Sequence, residues 1–299
     1  MKLKIGFSPC PNDTFIFDAL IHHKIDTQGL DFQVEYEDVE RLNHKAFQGE
    51  LDITKLSYHA FAYAAEDYEL LDAGSALGFG VGPLLITKDP QLAERLRGVI
   101  ERGELPLQGD KALKIGIPGK YTTANFLLGL AAPELGQKQE VLFSEIENAL
   151  IEEHIDLGLI IHENRFTYQD KGLHQVIDLG DFWEKTTNSP IPLGGIVVKR
   201  SLPEPLKNQI NSLIRQSVEY GFENPKSGLE YIRSHAQEMD EEVMYKHISL
   251  YVNKYSIELG EQGRAAIQTM FDKAVSLKII PSIRKDLFLT VGKDAVQDQ

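Results

Sequence analysis

Cysteine is nearly absent from this sequence, which has 299 residues and only one, Cys10. A single cysteine excludes an intramolecular disulfide framework and fits a reducing compartment. Long apolar runs are also lacking, so no segment reads as a transmembrane helix. The first apolar run is broken by Gly6, Pro9 and Pro11, unlike the apolar core of a secretory signal. We therefore expect a cytoplasmic protein with no membrane partner.

Positive charge is scarce relative to negative charge. The chain has 31 Lys and Arg against 45 Asp and Glu, for a formal net charge of -14. Nucleic acids and anionic membranes attract basic faces, so this balance argues against both as partners. An anionic ligand must instead be held by local hydrogen-bond donors.

The chain repeats one pattern. "LKIGFSPCPNDTFIFDAL" begins at Leu3 and "LKIGIPGKYTTANFLLGLA" begins at Leu113. Each predicts a short strand, a loop with proline, and an apolar helix that follows a hydroxyl residue. Downstream of each copy, a helical segment leads through an Asp, Asp52 or Asp156, into a second strand. Two similar α/β units are the simplest interpretation.

The predicted fold class is therefore α/β. It has two similar lobes with mixed or parallel sheets, two crossover strands between them, and a ligand cleft between the lobes. We expect residues 1–87 and 197–299 to form the larger lobe, completed by C-terminal helices, and residues 88–196 to form the smaller lobe. The loop 103–111 and the tail after Lys293 are polar, which is typical of mobile segments.

Hydroxyl and amide side chains stand at the start of both repeated helices. Free backbone N–H groups and the helix dipole favour a carboxylate or phosphate oxygen there. The same residue types also act as N-caps without any ligand, which is the commoner role. Duplication of the arrangement favours binding. The candidates are Asn12, Asp13, Thr14, Thr122 and Thr123.

Both second strands end in polar residues. Lys55, Ser57 and Tyr58 lie near the carboxyl end of the first of these strands. Ser57 could cap the next helix or contact a ligand, and the sequence favours the two roles equally. His162 follows the second, beside Glu163. A lone histidine is more often structural, but this one could exchange a proton near neutral pH, and a neighbouring carboxylate could orient its ring.

Other chemistries fit poorly. A zinc-protease HExxH motif would need histidine at position 166, which is Phe166, and neither His154 nor His174 gives metal-ligand spacing. The glycines before Pro83 do not open a helix, which argues against a dinucleotide fingerprint. No P-loop motif is present. Cys10 precedes a helix start, but a small residue filling a turn is a simpler interpretation than a nucleophile.

Longer blocks resemble the 1,4-dihydroxy-6-naphthoate synthase family of the futalosine route to menaquinone. The resemblance spans nearly the whole chain. Its blocks are "GFSPCPNDTFIF", "EDVERLN", "TKLSYHAFAY", "GVGPL", "GKYTTANFLL", "GLIIHENRFTY", "VIDLGDFWE" and "HAQEM…YVNKYS".

This resemblance implies a fold similar to type II periplasmic binding proteins and a lyase that acts on cyclic dehypoxanthine futalosine. It implies that His162 is the proton acceptor and that no metal or organic cofactor is needed. It also places substrate contacts on Lys55, Leu56, Ser57, Thr122 and Thr123. The alternative is a non-catalytic cytoplasmic binding protein for a small carboxylate or phosphonate, which would have no need of a base at position 162.

Overall fold

The computed structural model describes residues 1–104, 107–236, 240–280 and 282–290. The expected mobile tail after Lys293 and the last three residues of the HAQEM block lie outside them, as do two residues of the loop 103–111. Within the described residues the strands are β1 Lys2–Phe7, β2 Asp31–Tyr36, β3 Ile53–Ser57, β4 Tyr68–Leu70, β5 Ala76–Gly78, β6 Leu84–Thr87, β7 Lys114–Ile117, β8 Gln137–Glu140, β9 Leu157–Ile160, β10 His174–Asp178 and β11 Ile191–Lys199.

Helices cover the faces of the sheets. Short 3₁₀ turns occupy Gln108–Ala112, Phe143–Glu145 and Tyr168–Lys171. The α-helices are α1 Pro11–Ile21, α2 Val39–Phe47, α3 Tyr58–Ala64, α4 Pro90–Glu101, α5 Thr123–Ala131, α6 Ile146–Ile151, α7 Asn164–Thr167, α8 Leu179–Thr187, α9 Glu204–Glu223, α10 Leu229–His235, α11 Glu241–Tyr251, α12 Lys254–Ile257 and α13 Gly260–Ser276. Among the described residues, no helix is both long and apolar enough to span a bilayer.

The first sheet has the strand order β2-β1-β3-β11-β4, and β5 also pairs with β11. β1 is parallel to β2 and β3, whereas β11 is antiparallel to each of its neighbours. Its core lies between the sheet and helices α1, α9 and α11. The C-terminal helices therefore pack on the first lobe, as the sequence predicts.

The second sheet has the order β10-β6-β9-β7-β8. β7 is parallel to β8 and β9, and β6 runs antiparallel to β9 and β10. The predicted two-lobed α/β fold with mixed sheets is thus confirmed. Strand β6 belongs to this sheet and β11 belongs to the first. The chain therefore crosses between the sheets within residues 79–83 and 179–190. Both crossings lie a few residues before the boundaries expected from the sequence, at 87 and 196.

The two crossings touch at a pair of glycines. A Cβ atom on Gly82 would lie 2.1 Å from the backbone nitrogen of Gly180, so only glycine fits there without a backbone shift. The Arg165 guanidinium bridges the crossings, because it donates to the carbonyl of Gly82 and, at 2.7 Å, to the carboxylate of Asp178. The two crossings between the lobes are therefore closely packed against each other.

The sequence repeat corresponds to a structural repeat. β1 and α1 in the first lobe match β7 and α5 in the second, and each strand carries a glycine at the same place. A Cβ atom on Gly6 would lie 2.4 Å from Leu51 Cδ1, and one on Gly116 would lie 2.6 Å from Ile155 Cδ1. Leu51 and Ile155 each lie two residues before the second strand of their lobe, so both glycines make room for the same packing contact.

Candidate active site

A cavity lies between the two sheets, at the ends of β3 and β9 and the N-termini of α1 and α5. It spans about 700 Å³, including its mouth. A mostly apolar wall with a few polar groups at defined points suits a flat, largely apolar ligand with polar substituents. The apolar lining comes from Val39, Leu42, Leu56, Ala76, Val81, Pro83, Ala124, Ile161, Leu193 and Tyr251, and the polar lining from Ser8, Asn12, Asp13, Lys55, Ser57, Thr122, Thr123 and His162.

His162 lines the cavity from the second lobe. β9 ends at Ile160, and His162 has φ +58°, in the left-handed region that few residues other than glycine adopt. Its ring lies edge-on to Phe143 at 5.2 Å between centroids and parallel to His247 at 5.9 Å. Burial lowers the pKa of His162 to about 4, against a smaller raising effect of Asp13. The ring is therefore neutral at physiological pH and able to accept a proton.

Glu163 does not orient the His162 ring as the sequence suggested it could. Its carboxylate Oε2 instead lies 3.5 Å from Nδ1 of His247, on α11 of the other lobe. The Cys10 thiol lies close by, and one donor atom from each of Cys10, His162 and Glu163 falls within 4.8 Å of the others. Burial, reinforced by the Glu163 carboxylate, raises the pKa of Cys10 well above its usual value, so the thiol stays protonated.

The start of α1 contributes Asn12 and Asp13 to the cavity wall, but not Thr14. Pro11 occupies the first turn of α1, so Asn12 follows directly in the helix. The Thr14 hydroxyl turns back onto its own helix and donates to the carbonyl of Cys10 at 3.0 Å. Thr14 is fully buried, so the structure does not place it where the sequence expected a ligand contact.

Both carboxylate oxygens of Asp13 accept hydrogen bonds from neighbouring side chains. Its Oδ1 accepts hydrogen bonds from Asn12 Nδ2 at 2.8 Å and Lys55 Nζ at 3.0 Å, and its Oδ2 accepts from the Ser8 hydroxyl at 2.8 Å. Lys55 also donates to the carbonyl of Gly74 at 3.0 Å. Lys55 and Asp13 therefore form a buried ion pair in the cavity floor.

Ser57 occupies the N-cap position of α3 but makes no capping hydrogen bond. Its backbone N–H instead donates to Asn43 Oδ1 at 3.2 Å, which fixes the end of β3. The serine hydroxyl is thus available to the cavity, beside Leu56. Of the two roles considered from the sequence, capping by the Ser57 side chain is therefore not observed, and ligand contact stays a prediction.

Thr122 and Thr123 begin α5, and both hydroxyls are committed to backbone groups. Thr122 Oγ1 donates to the carbonyl of Gly119 at 2.8 Å and accepts from Asn125 N–H, as an N-cap does. Thr123 Oγ1 donates to the carbonyl of Leu193 at 2.7 Å, across to the first lobe. Within the described part of the chain, the N–H groups of Thr123 and Ala124 make no hydrogen bond, so they are the donors that α5 offers a ligand.

Comparison with known proteins identifies the family. A model of the menaquinone biosynthesis family matches residues 3–276. The chain belongs to this family. Among its curated relatives, the 1,4-dihydroxy-6-naphtoate synthase of Thermus thermophilus is 42% identical over 287 residues, which cover 96% of this chain and 99% of the relative. A protein of the same name from Streptomyces coelicolor is 39% identical over 95% of this chain and 96% of the relative.

Solved structures support the fold of this family member. Protein AF1704 from Archaeoglobus fulgidus is 33% identical and superposes with a TM-score of 0.83, covering 93% of this chain and 98% of that one. The alkanesulfonate-binding protein SsuA from Xanthomonas axonopodis gives a TM-score of 0.66 at 12% identity and covers 96% of both chains. The second likeness concerns the fold alone and confirms the periplasmic-binding-protein-like architecture.

Tyr251 at the cavity of this family member, and His247 behind it, are two residues that sequence reasoning missed. Both lie on α11, which the sequence predicts only as a helix packed on the first lobe. Tyr251 lines the cavity, and His247 is fully buried between Tyr251 and His162. One feature of the sequence could have indicated them. They are two polar side chains four residues apart, on a helix that otherwise packs against the core.

Proposed function

We propose that the protein is a 1,4-dihydroxy-6-naphthoate synthase. In this proposal it converts cyclic dehypoxanthine futalosine to 1,4-dihydroxy-6-naphthoate, with loss of the sugar-derived fragment. The support is two relatives of that name, each aligned over at least 95% of the chain. The main structural support for the mechanism is the neutral ring of His162. It lies at the wall of a mostly apolar cavity that residues of both lobes line.

The substrate is held from both lobes. Its flat ring system packs between the apolar walls, with Leu56 on one side. Its carboxylate or sugar-derived hydroxyls meet the N–H groups of Thr123 and Ala124 and the hydroxyl of Ser57. The dipole of α5 favours negative charge at that place. Lys55 keeps the floor of the site in position through its ion pair with Asp13 rather than as a free anion clamp.

His162 accepts a proton from the bound substrate and starts the carbon–carbon cleavage and elimination that end in an aromatic naphthoate. Burial keeps the ring uncharged before this step, so a base is present at neutral pH. Formation of the aromatic ring drives the reaction, and the proposal needs no metal or organic cofactor. Closure of the lobes over the substrate excludes water while His162 acts.

The alternative is a cytoplasmic binding protein for a small carboxylate or phosphonate, using the same cleft without chemistry. The fold is shared with sulfonate-binding proteins, which makes that function structurally possible. Simple binding does not need a proton-accepting histidine at the cavity wall, so His162 favours the enzyme. We also infer a cytoplasmic location, which the single buried cysteine supports.

The direct experiment is to incubate the protein with cyclic dehypoxanthine futalosine and follow the absorbance and fluorescence of the naphthoate. We expect turnover by the wild type and none by His162→Asn, with ligand binding kept within about tenfold, or 1.4 kcal/mol. His154→Asn is the matched control, since His154 is exposed on the same lobe. Turnover by His162→Asn at the native rate would refute the role of His162, and binding without turnover by the wild type would favour the alternative.

A further inference from the structure

A buried contact behind His162 joins the two lobes. Glu163 follows β9 in the second lobe, whereas His247 lies on α11, which packs against α1 of the first. His247 Nδ1 is 3.5 Å from Glu163 Oε2, and the exposed fractions of the two side chains are 0% and 4%. Separation of the lobes would break this contact and admit water to the carboxylate.

The hydrogen bonds around His247 decide which ring nitrogen carries a hydrogen. Its Nε2 lies 2.9 Å from Asn12 Oδ1. The amide of Asn12 cannot be turned round, because its Nδ2 donates to Asp13, which also receives hydrogen bonds from Lys55 and Ser8. Asn12 therefore presents an oxygen to His247. The Nε2 atom must be the protonated nitrogen.

The opposite nitrogen of His247 then faces a carboxylate oxygen. If Nδ1 carried no hydrogen and Glu163 were ionised, two lone pairs would meet in a buried site, which is costly. Nδ1 makes no other hydrogen bond within the described part of the chain. A single proton between the two groups removes the conflict. Burial lowers the pKa of His247 well below its usual value, which favours a neutral ring and a protonated carboxyl over an ion pair.

Within the described residues, several further titratable and charged groups lie around this pair and affect its protonation. The thiol of Cys10 is neutral and adds no charge. The phenol of Tyr251 has its pKa raised by burial and is also neutral. The charges of Asp13 and Lys55 offset each other in their ion pair. Among the described residues, the neutral ring of His162 also stacks on His247, and the Arg165–Asp178 ion pair acts on the neighbouring Tyr251.

We propose that Glu163 and His247 hold one proton between them in the closed cleft, so that the protein takes up a proton when it closes on its ligand. In an open cleft Glu163 is hydrated and ionised at neutral pH, as a carboxyl usually is. The inference rests on the lobe closure described in the proposed function. It makes Glu163 and His247 positioning residues, which keep a negative charge away from the neutral base His162.

Linkage gives the expected size of the effect. If closure of the cleft binds one proton, the affinity for the ligand falls about tenfold for each unit by which the pH rises, between about pH 6 and pH 8. The Glu163→Gln variant has no carboxyl to protonate, and its amide can donate the same hydrogen bond to His247 Nδ1. This variant therefore binds ligand with an affinity that does not change over that range.

The test is calorimetric titration with 1,4-dihydroxy-6-naphthoate in two buffers of different ionisation enthalpy. The difference in heat gives the protons taken up. We expect close to one for the wild type and close to none for Glu163→Gln. Glu152→Gln is the matched control, because Glu152 is an exposed carboxylate on the same lobe, and it should behave like the wild type. No uptake by the wild type, or equal uptake by Glu163→Gln, would overturn the proposal.

The same titration separates this inference from the proposed catalytic role. His162→Asn keeps the Glu163–His247 pair, so it should still take up one proton on binding although it lacks turnover. If its uptake vanished while that of Glu163→Gln persisted, the proton would belong to His162 and the pair would have no such role. Loss of turnover in His162→Asn is judged independently of either result.

Discussion

The ammonium group of Lys55 lies 3.0 Å from Asp13 Oδ1, and the two side chains are only 7% and 3% exposed. The pair comes from the end of β3 and the start of α1, so it ties together the two segments that form the floor of the cavity. A buried ion pair adds little net stability, but the loss of one partner leaves an uncompensated charge. The pair is therefore sensitive to single substitutions.

Lys55→Met should lower the free energy of unfolding by about 3–5 kcal/mol, because Asp13 then remains charged and buried. Lys45→Met is the control, since Lys45 pairs with Glu35 and Glu37 near the surface and should cost no more than about 1 kcal/mol. Urea denaturation measures both. Adding Asp13→Asn to Lys55→Met should recover part of the loss, and strict additivity of the two changes would contradict the assignment.

Acid should destabilise the protein through His59, which joins α3 to the start of α5. Burial lowers the pKa of His59 to about 4, and its Nδ1 lies 3.3 Å from the carbonyl of Thr122. The unfolded chain binds a proton here at about pH 6.5 and the folded chain only near pH 4, so unfolding takes up a proton between these values. The free energy of unfolding should therefore fall as the pH drops, by about 1–2 kcal/mol between pH 7 and pH 5.

His59→Asn isolates this contribution, because the asparagine amide can still donate to Thr122. The slope of the free energy of unfolding against pH gives the number of protons taken up on unfolding. This number should be smaller by about one in His59→Asn than in the wild type. His154→Asn, at an exposed histidine, should leave the slope unchanged. A slope unaltered by His59→Asn would mean that His59 is not buried in its neutral form.

Cys10 should be dispensable for turnover. Its thiol is buried, its pKa is raised, and it does not line the cavity. Cys10→Ala should keep kcat within about tenfold of the wild type, or 1.4 kcal/mol of barrier. The measurement is the naphthoate assay on the purified variant. A loss of several orders of magnitude with intact folding would instead indicate a covalent role for the thiol.

The sequence repeat was sufficient to predict the two-lobed fold and the ends of strands and helices at which the cavity lies. The pattern at Leu3 and Leu113 predicted both strand-loop-helix units, because apolar periodicity and loop prolines are local signals. It also predicted that the ends of β3 and β9 and the starts of α1 and α5 would meet. All the candidates except Thr14 line the cavity, namely Asn12, Asp13, Lys55, Leu56, Ser57, Thr122, Thr123 and His162.

The remaining features depend on contacts that no local pattern encodes. The approach of Glu163 to His247 joins positions 84 residues apart in the sequence. The alternation of side chains along a strand does not extend to His162 and Glu163, since β9 ends at Ile160 and His162 adopts a positive φ. Thr14 has the residue type of a ligand contact, but only the helix geometry shows its hydroxyl bonded to Cys10.

The contact of Gly82 with Gly180 should control movement of the lobes. A Cβ atom on Gly82 would meet backbone rather than a flexible side chain, so Gly82→Ala must push the two crossings apart. We expect about 1–3 kcal/mol of destabilisation from overpacking. We also expect a rise in KM, since the displaced crossings no longer bring His162 and the α5 N-terminus to their closed positions.

Gly129→Ala is the matched control, because Gly129 lies within α5 and a Cβ atom there would meet only the end of the Lys138 side chain, at 3.9 Å. Alanine favours helix over glycine, so this variant should be as stable as the wild type or more so, with KM unchanged. Urea denaturation and the naphthoate assay are run on both variants. If Gly82→Ala lost stability while KM stayed at the wild-type value, the crossings would be a structural joint that does not govern closure of the cleft.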